Sequence, residues 1–140
     1  DWLQLLTDDC TFWVPAWRNE RDQVQDPQCE VSFLYADGRH TLEERVRRIR
    51  SGKSITTLPM PRTAHLLGNP IELDASAPDR LCIGTTWTNH LYDPRTARQI
   101  VLFGHYEHEL MRVGEHIRIA AKKVSIANDR VPTVLDIYSV

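Results

Sequence analysis

The sequence predicts an α+β fold, a strongly curved antiparallel sheet wrapped around N-terminal helices into a cone. Three observations lead there. Helical patterning is confined to the stretch before Pro59. After Pro59 and Pro61 the hydrophobic period changes to two and stays there through four segments joined by short turns. Strands of roughly ten residues or more twist and curl, so such a sheet closes around one concave face.

Asp1–Thr7 carries Trp2, Leu3, Leu5 and Leu6 at helical spacing and reads as the end of a longer, truncated helix, too short to stand alone. Cys10–Trp17 alternates and is rich in aromatic and branched residues, which predicts a short strand closed by Pro15. Arg18–Gln28 is polar without a period and reads as a loop. Glu30–Ala36 reads as extended, with a turn at Asp37-Gly38.

Thr41-Leu42-Glu43-Glu44 fits a capping box, so a helix is expected to start at Thr41, with Leu42, Val46 and Ile49 on one face and Ser51-Gly52 as its stop. Thr63, His65, Leu67, Asn69, Ile71 and Leu73 share one parity, and Leu81, Ile83, Thr85, Trp87, Asn89 and Leu91 share the next. Arg98–Arg112 and His116–Ala127 read as two long strands joined at Val113-Gly114-Glu115, and Val134–Val140 as a last short strand.

Composition bounds the function. A chain of 140 residues has the length of one domain, here residues 1–140, and buries enough surface for a core without staples. Lys and Arg total 17 against 19 for Asp and Glu, so no basic excess supports phosphate-backbone binding and no nucleic-acid partner is expected. The longest strictly apolar run is Ile100-Val101-Leu102-Phe103, too short to span a bilayer. The three cysteines, Cys10, Cys29 and Cys82, stand far apart, which predicts packed, reduced thiols and a cytoplasmic protein.

Candidate sites are few. His105 and His108 form an H-x-x-H pair, but on a strand residues three apart point to opposite faces, so no metal site is expected. The interior parity offers Thr63, His65, Thr85, Trp87 and Asn89, with Tyr106 and His108 beside them, and no carboxylate: Glu72 and Asp74 take the opposite parity. His65, Thr85, Asn89 and Tyr106 are therefore concave-face polar candidates without a catalytic base. In the helix, Glu43–Arg47 and Glu44–Arg48 are favourable (i, i+4) pairs, whereas Arg45 borders the apolar stripe and needs an acid, inside the cone or across a subunit boundary. Trp13 and Trp17 share a parity next to a polar loop and are candidate interface residues, as Trp is enriched at hot spots.

Several stretches in order resemble one family. They are Asp8-Asp9 with Phe12-Trp13-Val14-Pro15-Ala16-Trp17, Ser32-Phe33-Leu34-Tyr35-Ala36-Asp37, and Leu42-Glu43-Glu44-Arg45-Val46 with Arg48-Ile49. Pro61-Arg62-Thr63-Ala64-His65 with Asn69, Lys122-Lys123-Val124, and Asn128 through Tyr138 complete the set. Together they resemble the small (β) subunit of aromatic-ring-hydroxylating dioxygenases, in the benzoate, anthranilate and halobenzoate branch.

The resemblance implies a cone similar to nuclear transport factor 2 and the ketosteroid isomerases, the cystatin-like group. It implies an α partner carrying a Rieske two-iron two-sulfur cluster and a mononuclear Fe(II), fed from NADH through a reductase, which adds dioxygen to an aromatic acid to give a cis-dihydrodiol. It further implies a β subunit with no cofactor and no catalytic residue, supporting an assembly of three α with three β. The residues alone leave a second reading open: a free-standing dehydratase- or isomerase-like enzyme, or a small-ligand binder, using the concave face near His65.

Overall fold

Three long strands form the body of the molecule because each alternates apolar and polar side chains for ten residues or more. The structure, a computed structural model, describes residues 2–53, 58–74 and 77–140. A single 3-10 turn at Trp2–Leu5 leads into β1 (Leu6–Pro15), followed by β2 (Ser32–Asp37), helix α1 (Arg39–Arg50), β3 (Arg62–Leu67), β4 (Ile71–Glu72), β5 (Arg80–Asp93), β6 (Arg98–Val113) and β7 (His116–Ile126). The strands make one seven-stranded sheet in the order β2-β1-β7-β6-β5-β3, with β4 also on β5. Every pairing is antiparallel except β1 with β7, which is parallel.

The core lies on the concave face. Cys10, Phe12 and Val14 of β1, Leu34 and Ala36 of β2, Trp87 and Leu91 of β5, Leu102 and Tyr106 of β6, and Val124 and Ile126 of β7 form one buried cluster. Leu42 of α1 and Val140 join it from above, with Leu135 and Ile137 packed on its margin. β3 and β4 form a broken edge: Pro70 has no N–H to donate, and pairing resumes only at Ile71↔Gly84.

Several expectations are corrected. The helix expected over Asp1–Thr7 is one 3-10 turn. Leu6 and Thr7 join β1, where Leu6 pairs with Ile119 and is buried, so tertiary burial overrides helical spacing (Asp1 lies outside the described residues). α1 starts at Arg39, not Thr41, and no capping box forms. Gly38, at φ 77°, takes the cap position, and Thr41 Oγ1 donates to the Asp37 carbonyl at 2.8 Å. Neither expected (i, i+4) pair is made: Glu43 faces Arg39 and Arg48 faces Asp136.

The expected strand at Val134–Val140 is a turn, closed by Ser139 N donating to Asp136 O at 2.8 Å. Its backbone is claimed elsewhere, since the Ser139 carbonyl accepts from Asn89 Nδ2 at 2.9 Å.

Candidate functional site

Sheet register brings one polar cluster onto the concave face. Phe12 of β1 lies beside Lys122 of β7, Lys122 lies opposite His108 of β6, and His65 of β3 lies opposite Asn89 of β5. Side chains two apart on a strand share a face, so Tyr106 points the same way as His108. The Tyr106 ring is the centre. Trp87 stacks on it at 4.9 Å and 7°, His108 meets it edge-on at 5.7 Å and 80°, and Lys122 Nζ stands 4.0 Å from its centroid. The same ammonium is 5.2 Å from the Phe12 centroid.

Burial sets the electrostatics. Desolvation pulls Lys122 down to about 8. Desolvation first, and the Lys122 charge second, pull His108 down to about 4 and lower His65 as well. His108 is therefore neutral at pH 7, whereas His65, on the concave-face list from the sequence, is an exposed residue of β3. Burial pushes the Tyr106 phenol well up, so it remains a donor. Among the described residues no carboxylate pairs with Lys122. The Tyr106 hydroxyl and Trp87 Nε1 are buried with no hydrogen-bond partner.

The cluster thus presents one cation and several donors on an aromatic floor. It holds no acid to orient a histidine as general base. Among the described residues, no group of three or more His, Cys, Asp or Glu side chains gathers as a metal site, so the ligand set of a Rieske cluster or a mononuclear iron is not assembled on them.

The other sequence candidates take separate places. Thr85 Oγ1 donates to the Gly68 carbonyl at 2.9 Å, which ties β5 to the end of β3 and removes its hydroxyl from the concave face. Asn89, fully buried, anchors the C-terminal turn. Arg45 finds its acid within this chain: Asp136 accepts from Arg45 Nη1 at 3.4 Å and from Arg48 Nη2 at 2.9 Å. Trp13 Nε1 donates to Ser32 Oγ, and Trp17 Nε1 donates to the Ile126 carbonyl, both at 2.8 Å. His105 is exposed while His108 turns inward.

Sequence reasoning did not single out Lys122 for the site. Its signal is a lysine on the parity of Val124 and Ile126, both buried. Phe12 and Asp136 were legible only as hydrophobic and acidic residues.

Residues 1–133 match the family model described as the ring hydroxylating beta subunit. The chain belongs to that family. It is 38% identical over 141 residues to the toluate 1,2-dioxygenase subunit beta of Pseudomonas putida, covering 99% of this chain and 84% of that one. It is 32% identical over 140 residues to the benzoate 1,2-dioxygenase subunit beta of Acinetobacter baylyi, covering 100% of this chain and 81% of that one. Among solved structures, it is similar to the beta subunit of the benzoate 1,2-dioxygenase from Burkholderia mallei, at TM-score 0.76 and 27% identity, covering 99% of this chain and 82% of that one. The cone of a ring-hydroxylating β subunit, expected from the sequence, is the fold observed. No helix among the described residues is long and apolar enough to cross a membrane.

Proposed function

We propose that this chain is the β subunit of the terminal oxygenase of a benzoate/anthranilate-type 1,2-dioxygenase, with no catalytic residue of its own. It supports an α subunit that carries a Rieske two-iron two-sulfur cluster and a mononuclear Fe(II). NADH and one proton supply two electrons and two protons through a reductase. Both atoms of dioxygen enter the ring of an aromatic acid, giving a cis-dihydrodiol. The assembly has three α with three β, in contact with one another, in the cytoplasm.

The observation that carries this reading is the family match over residues 1–133. The surface supports it. Leu66 and Leu67 of β3 are 59% and 65% exposed, and Ile71 of β4 is 63% exposed, along a sheet edge to which no further strand pairs among the described residues. An apolar, unpaired edge is a liability in a lone chain and a natural contact in an obligate complex. Trp17, 38% exposed beside the polar loop, and Trp13 on the same flank are second contact candidates.

The test compares α alone with α plus this chain, assayed with an aromatic acid, NADH and reductase. The expected result is one large complex that is more stable and turns over substrate. Equal stability and turnover of α without this chain overturns the reading, as does turnover by this chain alone.

A further inference from the structure

We propose that the outer side of α1 is the seat for a short, acidic and partly apolar segment of the α subunit, held by Arg47 and Arg50 above grooves on either side of Val46. The inference rests on the subunit reading and deepens it, by naming a surface and the chemistry of what lands there.

The apolar stripe of α1 outruns the core. Leu42 is fully buried, but Val46 and Ile49 further along the same face are only partly covered. Two grooves lie along them. One, of about 300 Å³, is walled by Trp2, Ile49, Met60, Ile137 and Tyr138. The other, of about 390 Å³, runs between the 3-10 turn and the helix, past Leu3, Arg39 and Arg47. Val46 and Arg50 line both, so the grooves share one ridge. Trp2 is 37% exposed and Met60 is 42% exposed, so apolar surface lies open beside the arginines.

Charge decides what fits there. Between Arg39 and Lys53 the sequence places six Lys or Arg against two Glu, whereas the whole chain has 17 against 19 Asp or Glu. The acids near the helix are already engaged: Asp8 and Glu43 with Arg39, and Asp136 with Arg45 and Arg48. Among the described residues Arg47 and Arg50 make no ion pair, and both are exposed. Glu44, the remaining acid of α1, stands three residues before Arg47 and can offset only one of the two.

Asp or Glu side chains arriving over this ridge therefore meet two uncancelled cations, while apolar side chains between them enter the grooves. A second copy docking by the same face would set one arginine-rich helix against another, and like charges repel. Nucleic acid would meet the cations but leave the apolar walls at Trp2 and Met60 uncovered. A different polypeptide that carries acids beside apolar residues satisfies both halves of the surface.

The test measures the affinity of the α subunit for this chain, with the melting temperature of each free variant as the check on folding. Raising salt from about 50 mM to about 500 mM should weaken the wild-type complex, because rim charges are screened. Arg47→Glu with Arg50→Glu should weaken it at least tenfold at the lower salt. Arg47→Gln with Arg50→Gln should weaken it severalfold and blunt the salt dependence, and Met60→Ala should weaken it severalfold at either salt. All three variants change exposed positions and should melt within about 2 °C of the wild type. If α binds the double Glu variant as tightly as the wild type, the inference falls and the subunit reading stands; if α binds no form of the chain, both fall. A double Gln variant that melts about 5 °C or more below the wild type shows that the chain uses these arginines for itself. Self-association of the free wild-type chain that the double Glu variant abolishes gives the face to a second copy. Either result overturns the inference.

Discussion

The two ends of the concave face treat polar groups in opposite ways. At the α1 end, a buried carboxylate is met by several donors. Asp136, 3% exposed, accepts from Arg45, from Arg48 and from the backbone N–H of Ile137. Asn89 ties down Ser139. Around the Tyr106 ring, the hydroxyl of Tyr106 and the indole N–H of Trp87 are buried without a partner, and Lys122 Nζ rests over the ring itself. The outer edge there shows Leu66, Leu67 and Ile71 to solvent. A buried carboxylate met by several donors stabilises one chain, whereas buried polar groups left unpaired cost it stability. The contrast separates what this chain completes from what it leaves unmet.

The largest expected effect breaks the frame that both ends share. Gly104 sits where β6 and β7 press together, and a Cβ added there would lie 1.9 Å from the Ser125 carbonyl oxygen. Backbone must move to admit it, so Gly104→Ala should cost about 3 kcal/mol or more in urea unfolding. A cost under about 1 kcal/mol shows that the two strands yield there.

Next comes the self-satisfied end. Asp136→Asn removes the charge that two arginines share, and it should cost about 2–3 kcal/mol. This is less than the loss of one partner from a fully buried ion pair, because Arg45 and Arg48 are partly exposed and can rehydrate. Arg45→Ala should cost about 1 kcal/mol, since Arg48 still holds the acid. Chemical denaturation of both variants checks the order.

The donor-rich end should announce itself through pH. Lys122 lies at about 8 when folded against an ordinary 10.5, so between those values the unfolded chain binds the proton that the folded chain has released. Stability contributed by this group therefore rises with pH from about 8 to about 10.5. His108, at about 4 against 6.5, gives a second rise from about pH 4 to 6.5, joined in the same direction by His65. Lys122→Met should erase the upper rise and His108→Asn should reduce the lower one, read from melting temperature against pH. An upper rise that persists in Lys122→Met assigns it to another group.

The smallest effect is the control. Arg47 and Arg50 lie on the exposed part of α1, and alanine at either should change stability by no more than about 0.5 kcal/mol. A larger loss at Arg47 would mean that the favourable spacing from Glu43 matters even though Glu43 faces Arg39.

Periodicity determined much of this protein by itself. Period two over Arg98–Arg112 and His116–Ala127 located β6 and β7 to within a residue or two, because side chains on a half-buried strand alternate by geometry and need no distant partner. The same parity rule split His105 from His108 and placed Tyr106, Trp87 and Asn89 inside. The family was legible too, in short stretches spread from Asp8 to Tyr138. Tertiary structure alone decided what pairs with what. Asp136 is 91 residues from Arg45, and no local spacing links them. Leu6 left a helical pattern for a strand because Ile119 lies beside it. Lys122 looks like an ordinary surface lysine until β1 and β6 flank it, when desolvation lowers its pKa and its ammonium settles over the Phe12 and Tyr106 rings. Local patterns report the period of one strand, but which side chains meet across the sheet depends on register and curvature, and these are set by contacts distant in sequence.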